Sequence, residues 1–322
     1  MDKVKIGIVG TGYIGNVHGR IFSRDDRAEI AALYDIIPER AERASRSIGG
    51  RVCSSRDELL DNCDAVLVCT PNKTHPEIAS AAVVAGKHVF CEKPFAIGID
   101  EARKLLAIAD GSSGVFQVGH NRRYAPVYAQ LKQLLAEDRA HSAHIKMNRG
   151  ELKNPVWTGD VNVTGGFLYE TTIHLFDMMR HQFGEIDELI AYGSQHEYPE
   201  LDEFSIIFKF KSGFHCTFAS SSDASWHFPF ERVEVFCHHR TIMTEEMERL
   251  LDSRGMDANF ETFSYHMTEK EERWGYVQED KAFIDAILTG TPPPVTALDG
   301  FKSVELVESV YVSIRSGERV KF

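Results

Sequence analysis

Three groups of residues in this 322-residue chain have the types and spacing to do chemistry. The first is Gly10-x-Gly12-x-x-Gly15, with Asp35 twenty positions beyond the last glycine. Between a strand and a helix, the first glycine permits the turn and the second lets backbone approach a pyrophosphate. The third allows close helix–strand packing, and the helix N-terminus offers amide donors to phosphate. A carboxylate at Asp35 accepts hydrogen bonds from both ribose hydroxyls and repels a 2′-phosphate, so NAD is expected in preference to NADP. Arg40 and Arg43 on the next helix work against that preference without abolishing it. The second group is Cys91-Glu92-Lys93-Pro94. Pro94 biases Lys93 toward an extended backbone, which lets its side chain project from a strand end; taken alone, Lys93 reads more often as a solvated surface lysine. The third is Glu170, His174 and Asp177. On one helix their i, i+4 and i+3 spacings put all three on one face, and a carboxylate one turn from an imidazole orients it and raises its basicity. A helix-capping histidine with incidental acidic neighbours is the competing reading.

The elements that must position these groups follow from periodicity. Val4–Val9, Ile30–Tyr34, Ala65–Cys69, His88–Cys91 and Val115–Val118 are near-continuous apolar runs separated by helical segments. Pro38 sits at the N1 position of one helix, and another, from Pro76 to Ala85, ends at Gly86. Such strands are those of a parallel sheet covered on both faces, so residues 1–120 are expected to form a doubly wound α/β domain. Beyond residue 120 the pattern changes. Helices are expected at Ala125–Ala136 and at about Gly166–Phe183, with a strand near His144–Met147. In Phe204–Lys211, apolar Phe204, Ile206, Phe208 and Phe210 alternate with Ser205, Ile207, Lys209 and Lys211. Period-2 alternation repeats at Phe214–Phe218 and Val233–Cys237, so residues 121–322 are expected to be an α+β domain on a mostly antiparallel sheet. Helices near Val277–Leu288 and Leu298–Ser316 close the chain.

The formal net charge of −12 and the lack of any basic run argue against nucleic acid. No apolar run approaches bilayer length. The six cysteines are isolated, without a C-x-x-C pair, and read as small reduced core residues. A strand beginning at Lys3 leaves no room for a signal peptide, so a cytoplasmic protein is expected. His238-His239 and His141-x-x-His144 have no matching carboxylate or cysteine set, and no metal is expected.

The same segments, in order, resemble the Gfo/Idh/MocA oxidoreductase family. They are Ile8-Val9-Gly10-Thr11-Gly12-Tyr13-Ile14-Gly15, Thr70-Pro71-Asn72-x-x-His75, Ala85 through Pro94 with its Glu92-Lys93-Pro94, Gly119-x-Asn121-Arg122-Arg123-Tyr124-x-Pro126, and the Gly-Gly…His174-x-x-Asp177 stretch. The resemblance spans essentially the whole chain. It implies an N-terminal Rossmann domain and a C-terminal domain with an open, mostly antiparallel sheet. It implies cofactor contacts from Gly10, Thr11, Gly12, Tyr13, Ile14, Gly15, Asp35, Thr70, Pro71, Asn72, His75, Glu92 and Lys93. It also implies that Lys93 and His174 flank the reacting substrate carbon. The family's usual aspartate four residues before the histidine is Glu170 here, and Thr172 stands where a glycine is common.

Together these residues point to a hydride-transferring enzyme acting on a secondary alcohol or ketone of a polyol, inositol or sugar. His174 is the expected general base, Lys93 the donor that polarises the oxygen, and Glu170 the group that orients the imidazole. Asn121, Asn154, Thr158, Thr171 and Thr172 suit vicinal hydroxyls, and Trp157 and Trp226 offer an aromatic face to a sugar ring. Arg123 stands against a neutral substrate, since it has the fork to clamp a carboxylate. An NAD-dependent lyase or glycosidase, and a dinucleotide-binding regulator, are the competing functions. The outer face of the second sheet mixes Ile207 and Phe236 with Ser205, Thr217 and Lys209, which points to a homodimer or homotetramer.

Overall fold

The computed structural model describes residues 3–150, 156–225, 229–256 and 259–322. Packing divides the chain into two units, one of residues 1–120 with 276–304, the other of 121–275 with 305–322.

The first unit holds strands β1 (Val4–Val9), β2 (Ala28–Tyr34), β3 (Arg51–Val52), β4 (Ala65–Val68), β5 (His88–Glu92) and β6 (Phe116–Gly119). They form one parallel sheet in the order β3-β2-β1-β4-β5-β6, the dinucleotide-binding topology. Ile6, Ile8, Val66, Leu67, Val89 and Phe90 are fully buried, as a sheet covered on both faces requires. Covering it are α1 (Tyr13–Phe22), α2 (Pro38–Ile48), α3 (Arg56–Asp61), α4 (His75–Val84) and α5 (Ile99–Asp110). Pro38 opens α2 as expected, because its fixed φ suits a first helical turn and its missing N–H has no helical partner there.

Among the described residues the second unit holds nine strands: β7 (Ser142–Asn148), β8 (Ile186–Ser194), β9 (Glu203–Phe210), β10 (His215–Ser221), β11 (Glu231–Cys237), β12 (Arg240–Glu245), β13 (Arg249–Arg254), β14 (Phe260–Ser264) and β15 (Val320–Lys321). Their order is β14-β13-β12-β11-β7-β10-β9-β8-β15, and only the β7–β10 pair is parallel. The alternation in β9 is obeyed: Phe204, Ile206, Phe208 and Phe210 are buried while Ser205, Ile207 and Lys209 are exposed. The helices here are α6 (Pro126–Glu137), α7 (Val161–Thr164), α8 (Ile173–Phe183) and α9 (Lys270–Arg273). Phe176 of α8 packs edge-on against Phe208 and Phe218 at 5.5 and 5.3 Å, which lays α8 over the apolar face of β9 and β10. Burying Leu175, Phe176, Met178 and Met179 leaves His174 on the half-buried side.

Packing separates the units after residue 120 and returns residues 276–304 to the first of them. Helix α10 (Tyr276–Thr289) belongs to the first unit, where Phe283 meets Phe22 and Phe90 and joins Ile284 in the core under β1 and β5. An amphipathic helix reads the same whichever core it fills, so periodicity gave no sign of this return. Helix α11 (Ala297–Ser316) starts in the first unit and ends in the second. All six cysteines are free and buried, as their isolation implied. Among the described residues no helix is long and apolar enough to cross a membrane.

Candidate active site

The glycines of the first motif do what their spacing requires. Gly10 has φ +90°, and a Cβ there would lie 2.5 Å from the Cys69 carbonyl oxygen. A Cβ at Gly15 would lie 2.1 Å from the Gly10 carbonyl oxygen, so any side chain would prise α1 off β1. At Gly12, which caps α1 without a side chain, an added Cβ meets nothing within 4 Å. Backbone is therefore open to a diphosphate beside the first turn of α1, whose N–H groups have no helical acceptor. Tyr13 is exposed there, and Ile14 packs half-buried on the core.

Asp35 follows β2 and is 8% exposed. Its Oδ2 accepts the Thr11 amide at 2.9 Å and the Thr11 hydroxyl at 3.1 Å, while Oδ1 accepts the Ile37 amide at 2.9 Å. Three donors fix the carboxylate's orientation, and of its roughly four acceptor sites the one left, on Oδ1, is available to a ribose hydroxyl. Thr11, expected as a cofactor contact, spends its amide and hydroxyl on holding Asp35. Arg40 and Arg43 are exposed on α2. Open glycine backbone, a helix N-terminus and a fixed carboxylate fit NAD.

At the end of β5 the chain is held from several sides. Glu92 is buried, with Oε1 2.8 Å from His18 Nε2 and Oε2 accepting the Lys93 amide at 3.1 Å. His75 is also buried; Nδ1 is 2.8 Å from the Pro94 carbonyl oxygen and Nε2 2.8 Å from that of Thr70. Burial holds His75 below the usual histidine pKa, which favours the neutral ring. Glu92 and His75, expected among the cofactor contacts, tie the loops after β4 and β5 together. Thr70 and Pro71 are half-buried and Asn72 is buried. The Lys93–Pro94 peptide is cis. Lys93 is half-buried.

In the second unit, the helix carrying the expected base opens with a turn of π-helix, Leu168–Thr172, in which the Ile173 amide reaches back to the Leu168 carbonyl. Such turns recur at functional sites and leave no sequence signature. Gly166, at φ +100°, precedes it; a Cβ there would fall 2.1 Å from Glu200 Oε2, which also accepts the Phe167 amide at 3.3 Å. Glu170 and His174 are both half-buried. Asp177, one turn on from His174, is more deeply set. It is fully buried, and its carboxylate takes a two-pronged bond from Arg123, Nε to Oδ2 at 2.7 Å and Nη2 to Oδ1 at 2.6 Å.

That pair engages the fork of Arg123, expected at the substrate, inside the unit. Asn121 is likewise structural: its Nδ2 donates to the Trp274 carbonyl at 2.9 Å, and its Oδ1 accepts Arg122. Thr172 is buried against Ser220, their hydroxyls 2.7 Å apart. Thr171 is buried as well, while Trp157 and Thr158 are half-buried in the tight turn Val156–Gly159. Asn154 and Trp226 lie outside the described residues. Sequence reasoning missed His18. It falls three residues after Gly15 on the buried face of α1, a position where a histidine has to be asked what it is bonded to.

Fold and site together define a dinucleotide-binding α/β protein with a second, sheet-based unit. The profile of the oxidoreductase family with an NAD-binding Rossmann fold matches residues 4–120, and that of the GFO/IDH/MocA C-terminal domain matches residues 128–243. The chain belongs to the GFO/IDH/MocA oxidoreductase family. It is 28% identical over 332 aligned positions to myo-inositol 2-dehydrogenase of Thermotoga maritima, covering 99% of this chain and 98% of that one. Among solved structures it is similar to GenD2 from gentamicin A biosynthesis in complex with NAD, at 25% identity and a TM-score of 0.85 over 100% of this chain and 97% of that one. Levoglucosan dehydrogenase in complex with NADH and levoglucosan shares its fold, with a TM-score of 0.91 over 99% of both chains at 20% identity.

Proposed function

We propose that this chain is an NAD-dependent dehydrogenase acting on a secondary alcohol of an inositol, another polyol or a sugar. The observation that carries the reading is the Asp35 carboxylate, fixed by three donors beside the open backbone of Gly12, in a chain similar from end to end to a myo-inositol dehydrogenase. Bound NAD supplies the hydride acceptor. His174 takes the hydroxyl proton, Lys93 donates a hydrogen bond to the substrate oxygen as it becomes a carbonyl, and Glu170 orients the imidazole. A neutral substrate is favoured, because the Arg123 fork that would hold a carboxylate is engaged by Asp177. The enzyme works in the cytoplasm as a homodimer or homotetramer, joined through the outer face of the second sheet, where Tyr192 and Ile207 are 68% and 51% exposed.

The test is a panel of inositols, neutral aldoses, uronic acids and sugar phosphates followed at the NADH absorbance, with bound cofactor identified after denaturation. NADH formation with a neutral polyol or sugar is the expected result. Tightly held NAD with no net NADH would turn the reading toward a lyase, and a hundredfold preference for anionic substrates would overturn neutrality. Light scattering at micromolar concentration checks the assembly, and a monomer refutes it.

A further inference from the structure

A buried polar cluster inside the first unit has no part in the hydride step described above. His18, on α1 and fully shielded from solvent, has Nδ1 2.7 Å from Asp280 Oδ1 of α10 and Nε2 2.8 Å from Glu92 Oε1 of β5. The rings of Phe90 and Tyr276 wall it in, with centroids at 4.9 and 5.7 Å. A neutral imidazole has one N–H, and an ionised carboxylate only accepts, so two carboxylates are satisfied together only by an imidazolium. On the far side of Glu92, Oε2 accepts the amide of Lys93. Gly119 pairs with Glu92 in the β5–β6 register, and a Cβ there would sit 3.1 Å from that oxygen. The absence of a side chain on β6 leaves room for the carboxylate in this pose.

We propose that His18 is a positioning residue: gripped by Asp280 on one nitrogen, its imidazolium holds Glu92 as a fixed anion, and Glu92 in turn holds the Lys93 amide and sets where the Lys93 side chain leaves β5. One network thereby ties the helix at the dinucleotide phosphates to the lysine assigned to the substrate oxygen. The inference rests on that assignment of Lys93.

The electrostatics agree with the geometry. Burial works against the charge on His18, yet Asp280 and Glu92 hold its pKa well above the usual histidine value. Burial likewise opposes the charge on Glu92, and the bond and charge of His18 prevail, keeping it below the usual carboxylate range. Asp280 behaves differently: burial lifts its pKa to about 6 against the pull of His18, and its Oδ2 has no hydrogen-bond partner among the described residues. Asp280 is therefore where the cluster takes its next proton. The other titratable groups facing it are Glu279 and Tyr276 on α10, Cys91 and Lys93 around the end of β5, Cys69 after β4 and His75 on α4. Burial raises both thiols, which keeps them neutral, and lowers His75, which favours its neutral ring.

The test uses the full-length protein, deuterated and labelled with 15N, with and without NAD. Both His18 ring nitrogens are expected to carry protons at pH 7. The Lys93 amide resonance should shift with a midpoint near 6, and that shift should vanish in Asp280→Asn. A neutral His18 ring at pH 7, or a Lys93 amide indifferent to the titration, overturns the inference. The kinetic arm uses the best alcohol from the substrate panel. Asp280→Asn and His18→Gln should each lower kcat by about tenfold or more while the Kd for NAD stays within about threefold, a split that a merely structural loss would not produce. An unchanged kcat in both variants also overturns it. A fully active Lys93→Ala enzyme would overturn the functional assignment instead, and the nitrogen spectra would still decide whether the cluster is charged and tied to the Lys93 amide.

Discussion

The two units make their reactive ends from different materials. In the first, the dinucleotide site is backbone: three glycines whose missing side chains are the geometry, and a carboxylate steered by amides at Thr11 and Ile37. Everything needed lies between Gly10 and Ile37. In the second, the helix bearing His174 is held by side chains from far along the chain. Arg123 and Asp177 are 54 positions apart, Arg122 and Glu231 109, and Thr172 and Ser220 48. A site made of backbone carries its own address, because glycine is required where it stands. A site made of paired side chains does not, since an arginine that clamps substrate and one that clamps a buried aspartate are spelled alike.

The sharpest way to break this comparison is at Arg123. Asp177 is fully buried and the Arg123 side chain is 9% exposed, so Arg123→Met strands a carboxylate in the interior and should cost about 3–5 kcal/mol in urea unfolding. Replacing both, Arg123→Met with Asp177→Leu, should recover most of that loss, because an apolar pair of similar volume carries no unpaired charge. Unchanged stability with a raised KM for anionic substrates would return Arg123 to the substrate site and remove the contrast between the two units.

Next in size are the two residues proposed to act in the reaction. Lys93→Ala and His174→Ala should each lower kcat/KM at least about a hundredfold, or roughly 2.7 kcal/mol of transition-state stabilisation, with NAD affinity little changed. If one variant lost cofactor binding as well, that residue would belong with the backbone-built site. Cofactor choice follows. Calorimetric titration should find NAD bound about ten- to a hundredfold more tightly than NADP, with the margin shrinking in Asp35→Ala. Equal or tighter binding of NADP would mean that Arg40 and Arg43 dominate.

The same division governs what could be read from the sequence. The parallel sheet, the motif turn, Pro38 at the start of α2 and the alternation in β9 were legible because each is a local rule. Lys93, Glu170 and His174 were located by motif, yet their supports were not. His18 is 74 positions from Glu92 and 262 from Asp280, so no spacing brings the three together. Helical arithmetic gave the spacing of Asp177 from His174, but not its partner Arg123, 54 positions away. The return of α10 to the first core was invisible for the same reason, as was the π-turn, which depends on how Leu168–Thr172 must fit between Gly166 and the sheet.

The smallest expected effect tests that fit most finely. Ser220 Oγ donates to the Met147 carbonyl at 3.1 Å, so the proton between Thr172 and Ser220 comes from Thr172. Thr172→Val removes a donor and leaves the Ser220 hydroxyl with its own acceptor, which should cost about 0.5–1.5 kcal/mol in urea unfolding. Ser220→Ala is the harsher change. It strands the buried Thr172 hydroxyl, and an unsatisfied polar group costs about 1–3 kcal/mol. The expected order is therefore Ser220→Ala worse than Thr172→Val, with KM for the panel's best alcohol shifted less than about twofold in both, since neither hydroxyl touches substrate. Costs in the opposite order would mean that the proton runs the other way. A KM raised tenfold in Thr172→Val at unchanged stability would place that hydroxyl in the substrate site, and the π-turn would then present a reactive surface built, like the dinucleotide site, from its own stretch of chain.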